Sequence, residues 1–209
     1  MGLQIYYPFF SSSVNGNLVA NLATGSPVFD ATLMNGAMVS NNQLHVSRNL
    51  NQYVRIEDIT FGNNGITFAT WFNVDSFISY TPIFLFQEET PTANGYMVLF
   101  AAYSAGSYNM LFQVGYLGAV SSSVGAASIA QNVWYHVAVV LDPTGQLSIF
   151  VNGQLDFQSS GTYPRQFVAI TTSWELILFA ISMDPSESSV PTVAVCRLRK
   201  YNSSSLQLR

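Results

Sequence analysis

Side chains able to do chemistry are sparse in this chain: 209 residues hold eleven acids, two histidines and one cysteine. Glycoside hydrolysis needs two carboxylates flanking the scissile bond, and on a strand that requires acids two or four residues apart, sharing a face. Glu57-Asp58 and Glu88-Glu89 are adjacent pairs that would point to opposite faces, each beside turn-like residues, and Glu175 is a lone acid opening an apolar run. All five read as solvated or isolated acids. His45 and His136 each stand inside a strand-like run, with no G-x-S-x-G neighbour and no metal spacing. Cys196 excludes an internal disulfide and a cysteine metal cluster, and reads as a small buried hydrophobe. No catalytic, cofactor-binding or metal-ligating residue is assigned, and the ligand-binding residues are not located. The chain is expected not to be an enzyme.

Composition narrows the remaining classes. Apolar residues make up 49% and aromatic residues 14%, enough for a large core, while charged residues are only 9%. That is well below the roughly 25% of an average globular protein. A net charge of -4 with scattered cations gives no nucleic-acid footprint. No apolar run reaches the length of a membrane span. Met1-Gly2-Leu3 leads straight into strand-like residues with no basic leader, and Tyr6 breaks the myristoylation pattern. Synthesis in the cytosol is therefore expected, and Asn202-Ser203-Ser204 reads as a chance glycosylation match. Lys200 is the single lysine. Because sheet proteins commonly blunt exposed edges with lysine, the edges here are covered in another way or the chain meets partners over broad neutral surfaces.

The elements follow from alternation and turn chemistry. Residues 134–157, WYHVAVVLDPTGQLSIFVNGQLDF, predict a three-stranded antiparallel meander. Its strands are 134–141, 146–151 and 154–157. Pro143 presets the first turn and Gly145 ends it in positive φ, while Asn152-Gly153 is a type I′ hairpin signal. Further strands are expected at 3–10, 43–46, 52–56, 66–74, 82–87, 95–103 and 108–116, with late strands at 175–182 and 193–201. In 66–74, Ile66, Phe68, Thr70, Phe72 and Val74 form the core face, with Trp71 on the other. Residues 11–16, 121–128 and 183–191 read as loops, 62–65 and 104–107 as turns. No helical period and no repeat emerges. A dozen short strands at this spacing predict an all-β, two-sheet antiparallel jelly-roll sandwich, one domain over residues 1–209.

Several of these stretches resemble laminin-G-like domains of the concanavalin A-like lectin and glucanase group. The resemblance rests on Tyr7-Pro8-Phe9, on Thr32-Leu33-Met34-Asn35-Gly36-Ala37, and on residues 52–56, 66–72, 134–153 and 199–202. It implies the same jelly roll. The glucanases of that group carry E-x-D-x-E or E-x-D-x-x-E runs, and this chain has none. Relatives often hold calcium in loops, for which Asp30 is the only acid near the early loop. The closing strand of the family offers acids where Cys196 and Arg197 stand here, so calcium is disfavoured. Two roles then compete. Low charge, one cysteine and almost no lysine favour a structural or interaction subunit of a larger assembly, such as a virion, with homo- or hetero-oligomeric protein partners. The alternative is a carbohydrate- or protein-binding module, for which eleven tyrosines and many amide and hydroxyl side chains supply the chemistry.

Overall fold

The computed structural model of the chain describes residues 5–23, 30–56, 65–77, 80–87, 95–102, 108–116 and 119–159. The first strands in these residues are Val14–Asn15 (β1), Leu18–Val19 (β2), Ala31–Met34 (β3), Met38–Ser40 (β4), Gln43–His45 (β5) and Tyr53–Ile56 (β6). Ile66–Phe72 (β7), Thr81–Gln87 (β8), Tyr96–Ala102 (β9), Asn109–Tyr116 (β10) and Ala119–Ser128 (β11) follow. The meander is Tyr135–Leu141 (β12), Leu147–Val151 (β13) and Gln154–Gln158 (β14). All pairings are antiparallel, in the orders β1-β2-β3-β6, β11-β10-β9-β8 and β14-β13-β12-β7, with β4-β5 a separate hairpin.

Period-two alternation decides which side chains meet. Along β7 the burial pattern alternates without a break, so Ile66, Phe68, Thr70 and Phe72 turn inward and Trp71 outward. Val137 and Val139 of β12 and Leu147, Ile149 and Val151 of β13 line the same inner face. Phe84, Phe86, Met97, Leu99, Phe112 and Val114 line the inner face of the facing sheet, and both sets belong to one apolar cluster. The two layers interlock at Phe68, whose ring centroid lies 4.7 Å from Phe84 and 4.8 Å from Phe86. A void of about 10 Å³ beside Phe68, Phe84, Leu99 and Val139 is no larger than one water and marks packing, not a ligand site. The third sheet adds Val19, Leu33, Val54 and Ile56 to the same cluster. The architecture is the expected antiparallel β-sandwich.

Both turns of the meander have the expected chemistry. Asn152 and Gly153 take φ of 48° and 77°, and Gly145 takes 87°. Asp142 Oδ1 accepts from Thr144 N (2.8 Å), Thr144 Oγ1 (2.6 Å) and Gln146 N (2.9 Å). The Thr144 hydroxyl first, then the backbone N–H groups of Gln146, Thr144 and Gly145, hold this carboxyl below its ordinary value, against an opposing effect of burial. A depressed native pKa stabilises the fold above the unfolded value of 3.8, and that stability is lost as pH falls through the native pKa. Asp142→Ala is expected to lower stability by about 1 kcal/mol at neutral pH. Urea unfolding of wild type and variant should converge in strong acid; a gap that persists there would show that the carboxylate is not the cause.

Three segments depart from expectation. Residues 121–128, read as a loop, lie in β11, because a run of Ser, Gly, Ala and Val pairs along β10 from Gly115↔Val120 to Leu111↔Val124. The described part of the expected strand 3–10 is not in a sheet. Tyr6 N donates instead to the Asn21 side chain (2.9 Å), Pro8 has no N–H to give, and Phe9 turns at φ 52°. Ile5, Tyr7 and Phe9 still alternate into the core. Residues 11–16, also read as a loop, form a 3₁₀ turn at Ser11–Ser13 and enter the β1–β2 hairpin. The expected strands at 175–182 and 193–201, the loop at 183–191 and the turn at 104–107 lie outside the described residues.

Candidate binding face

The sequence-derived candidates do not converge. His45 lies in the β4–β5 hairpin with Nε2 3.3 Å from Ser40 O. His136 lies on the outer face of β12, its ring tilted against Trp71 across the strand pair at 5.3 Å. Burial holds its imidazole below the usual histidine value of 6.5, so the neutral ring is favoured. Asp30 Oδ1 accepts from Asn21 N (3.0 Å), so it ties down the chain near Tyr6. Glu57, Asp58, Glu88, Glu89, Glu175, Cys196 and Arg197 lie outside the described residues. Among the described residues no three His, Cys, Asp or Glu side chains gather as a metal would need.

What sequence reading missed is the outer face of the sheet β8–β11. Because Met97, Leu99, Phe112 and Val114 face the core, the pleat turns Tyr96, Val98 and Phe100 of β9 and Leu111, Gln113 and Gly115 of β10 to the other side. The register arranges them in three rows. Tyr96 pairs with Gly115, which pairs with Val120. Leu85, Val98, Gln113 and Ser122 form the middle row, and Pro82, Phe100, Leu111 and Val124 the third. Strand spacings make this patch about 14 Å on each side.

The chemistry of the patch is an aromatic at each end and a polar couple between. The Tyr96 ring fills the space above Gly115: a Cβ at that glycine would meet Tyr96 Cε1 at 2.1 Å and Cζ at 2.6 Å. Only glycine lets the ring rest on the sheet there. In the middle row Gln113 Nε2 donates to Ser122 Oγ at 3.0 Å on the surface. At the far end the Tyr80 ring meets Phe100 edge-on at 5.3 Å. Tyr80 is 50% exposed and held at φ 58°, a conformation costly for a bulky residue. Val98 and Leu111 are buried on this side without belonging to the main core cluster. The patch thus has a packed apolar floor, and exposed Val120 and Val124 rim it on β11. No single strand carries this arrangement; a signal for it existed only in the pairing of Tyr96 with a glycine nineteen positions later.

Comparison with known proteins agrees with the sandwich. Among curated proteins no sequence matches the chain. Among solved structures, the binding domain of Paraclostridial Mosquitocidal Protein 1 superposes with a TM-score of 0.55 at 11% identity, covering 96% of this chain and 48% of the other. The binding domain of botulinum neurotoxin DC in complex with SialylT gives 0.53 at 12% identity, covering 88% and 43%. Domain 4 of AbnA, an extracellular arabinanase from Geobacillus stearothermophilus solved with arabinotriose, gives 0.45 at 16% identity, covering 94% and 78%. The chain therefore spans a little under half the length of the toxin binding domains it matches. In sequence, the family described as the concanavalin A-like lectin/glucanases superfamily matches residues 48–199, which contain β6 to β14 and the whole outer-face patch. With the antiparallel sandwich and the laminin-G-like meander both in place, the chain belongs to the concanavalin A-like lectin/glucanases superfamily.

Proposed function

We propose that the chain is a non-catalytic recognition module that binds carbohydrate on the outer face of β8–β11. The observation that carries this is the Tyr96 ring laid over Gly115 beside the exposed Gln113–Ser122 couple. Sugar rings offer an apolar C–H face, which stacks on an aromatic ring, and a hydroxyl rim, which exchanges hydrogen bonds with amides and hydroxyls. The patch supplies both on rigid strands. The binding domain of botulinum neurotoxin DC is solved with SialylT on the same fold; at that identity the likeness is one of fold, and the reading rests on the patch itself.

Composition alone ranked a subunit of a larger assembly first. The patch reverses that order, because it gives recognition named residues, whereas assembly rests on composition: low charge, one cysteine and almost no lysine. Glycan-array binding of the purified chain, followed by calorimetry, tests the reading. Tyr96→Ala is expected to weaken the best ligand about tenfold, the equivalent of ~1.4 kcal/mol, with the fold intact by circular dichroism. Binding is expected to persist with chelator. An array without hits, together with concentration-dependent association in sedimentation velocity, would return the chain to the assembly reading.

A further inference from the structure

Resting on the carbohydrate reading, we infer that this face takes neutral oligosaccharides and rejects glycans carrying carboxylate or sulfate. A charged sugar laid on an apolar floor loses hydration that only a cation or a set of unused N–H donors restores. Lys and Arg are absent from residues 56–164, which contain the whole of β7 to β14 and their connections. The same stretch holds seven acids, and the only charged residues between 81 and 128 are Glu88 and Glu89. Arg55, the last cation before this stretch, lies on β6 in the separate β1-β2-β3-β6 sheet.

Backbone donors do not fill the gap. The N–H groups of the inner strands β9 and β10 are spent on the ladder, and those on the open edge of β11 lie in the plane of the sheet instead of pointing out of its face. The irregular stretch of β11 at Gly125, Ala126 and Ala127 is the kind of local N–H cluster that cradles anions. Two of its three donors are already taken: Ala126 N and Ala127 N both reach Asp156 Oδ1, at 2.9 and 2.6 Å. Among the described residues, what the face offers a ligand is an uncharged amide and hydroxyl, Gln113 and Ser122, suited to sugar hydroxyls that both donate and accept.

The test uses the intact chain and matched pairs of oligosaccharides that differ only in one terminal sialic acid or one sulfate. The neutral member of each pair is expected to bind at least tenfold more tightly. Equal or tighter binding of the charged member overturns the inference and leaves the carbohydrate reading standing. Binding of neither member across the pairs overturns the reading itself. A second variant asks whether charge is the reason. Val120 is 54% exposed and pairs with Gly115 beside Tyr96, so Val120→Arg is expected to raise affinity for the charged member severalfold relative to its neutral partner. No gain with that variant would show that shape, not charge, sets the selectivity.

Discussion

Replacing Asp156 with alanine should destabilise the sandwich by about 2–3 kcal/mol, because two backbone donors lose their acceptor at once. The geometry behind this figure is a meeting of two bulges. On β14 the register steps from Phe157 to Leu155 while β13 advances one residue, from Ile149 to Phe150, so Asp156 is the extra residue, and a bulge re-aims its side chain. On β11 the register steps from Val124 to Ser128 against Leu111 and Asn109, which frees the backbone of Gly125, Ala126 and Ala127 from the ladder. Asn109 Nδ2 donates to their carbonyls, at 3.2, 3.1 and 3.4 Å, and Asp156 Oδ1 takes two of their N–H groups. The outermost strands β11 and β14 of the two main sheets are thereby clasped by one carboxylate. Its Oδ2 is buried with no hydrogen-bond partner and faces Gly125, where a Cβ would lie 1.8 Å from it. Gly125→Ala should therefore expel the carboxylate and cost a similar amount. The two changes should not add. In the Asp156→Ala background Gly125→Ala should cost little, giving a coupling of about 2–3 kcal/mol in a double-mutant cycle read by urea unfolding. Simple additivity would mean that Gly125→Ala does not act through the Asp156 carboxylate.

This clasp shows why part of the molecule was legible in the sequence and part was not. Local rules carry the meander: Asn152-Gly153 demands positive φ at both positions, and the register Val137↔Val151 follows from that turn. They also carry the core face of β7, since alternation there is uninterrupted. They fail on β11. Ser121, Ser122, Ser123, Gly125, Ala126 and Ala127 have little strand propensity, and what makes them a strand is the partner β10 on one side and Asp156 on the other. Residues 5–10 fail in the opposite sense. Their alternation reports burial truly, for Ile5, Tyr7 and Phe9 are all inside, but burial does not require a sheet, and Tyr6 N pairs with a side chain. Asp156 gave no signal as a structural acid, because neither bulge is written in a local pattern. The candidate face was hidden for the same reason, being made of alternate residues on four strands whose register sets which of them become neighbours.

Gly115→Ala puts the weight of the functional reading on one methyl group. The new Cβ would overlap the Tyr96 ring at three atoms, between 2.1 and 2.7 Å, and the ladder fixes the backbone of both residues, so the ring must swing away. Overpacking of this kind costs about 1–3 kcal/mol, and the displaced ring no longer lies on the sheet to stack against a sugar. Affinity for the best neutral oligosaccharide should therefore fall at least as far as in Tyr96→Ala, although the tyrosine is still present. Stability and binding then separate in the double variant. With Tyr96→Ala the clash partner is gone, so adding Gly115→Ala should restore most of the lost stability, because alanine suits a strand better than glycine, while binding stays lost. Unfolding midpoints and calorimetric affinities for the four proteins read both quantities. If Gly115→Ala kept full affinity, the Tyr96 ring would not be the stacking platform, and the ligand would have to bind elsewhere on the sandwich.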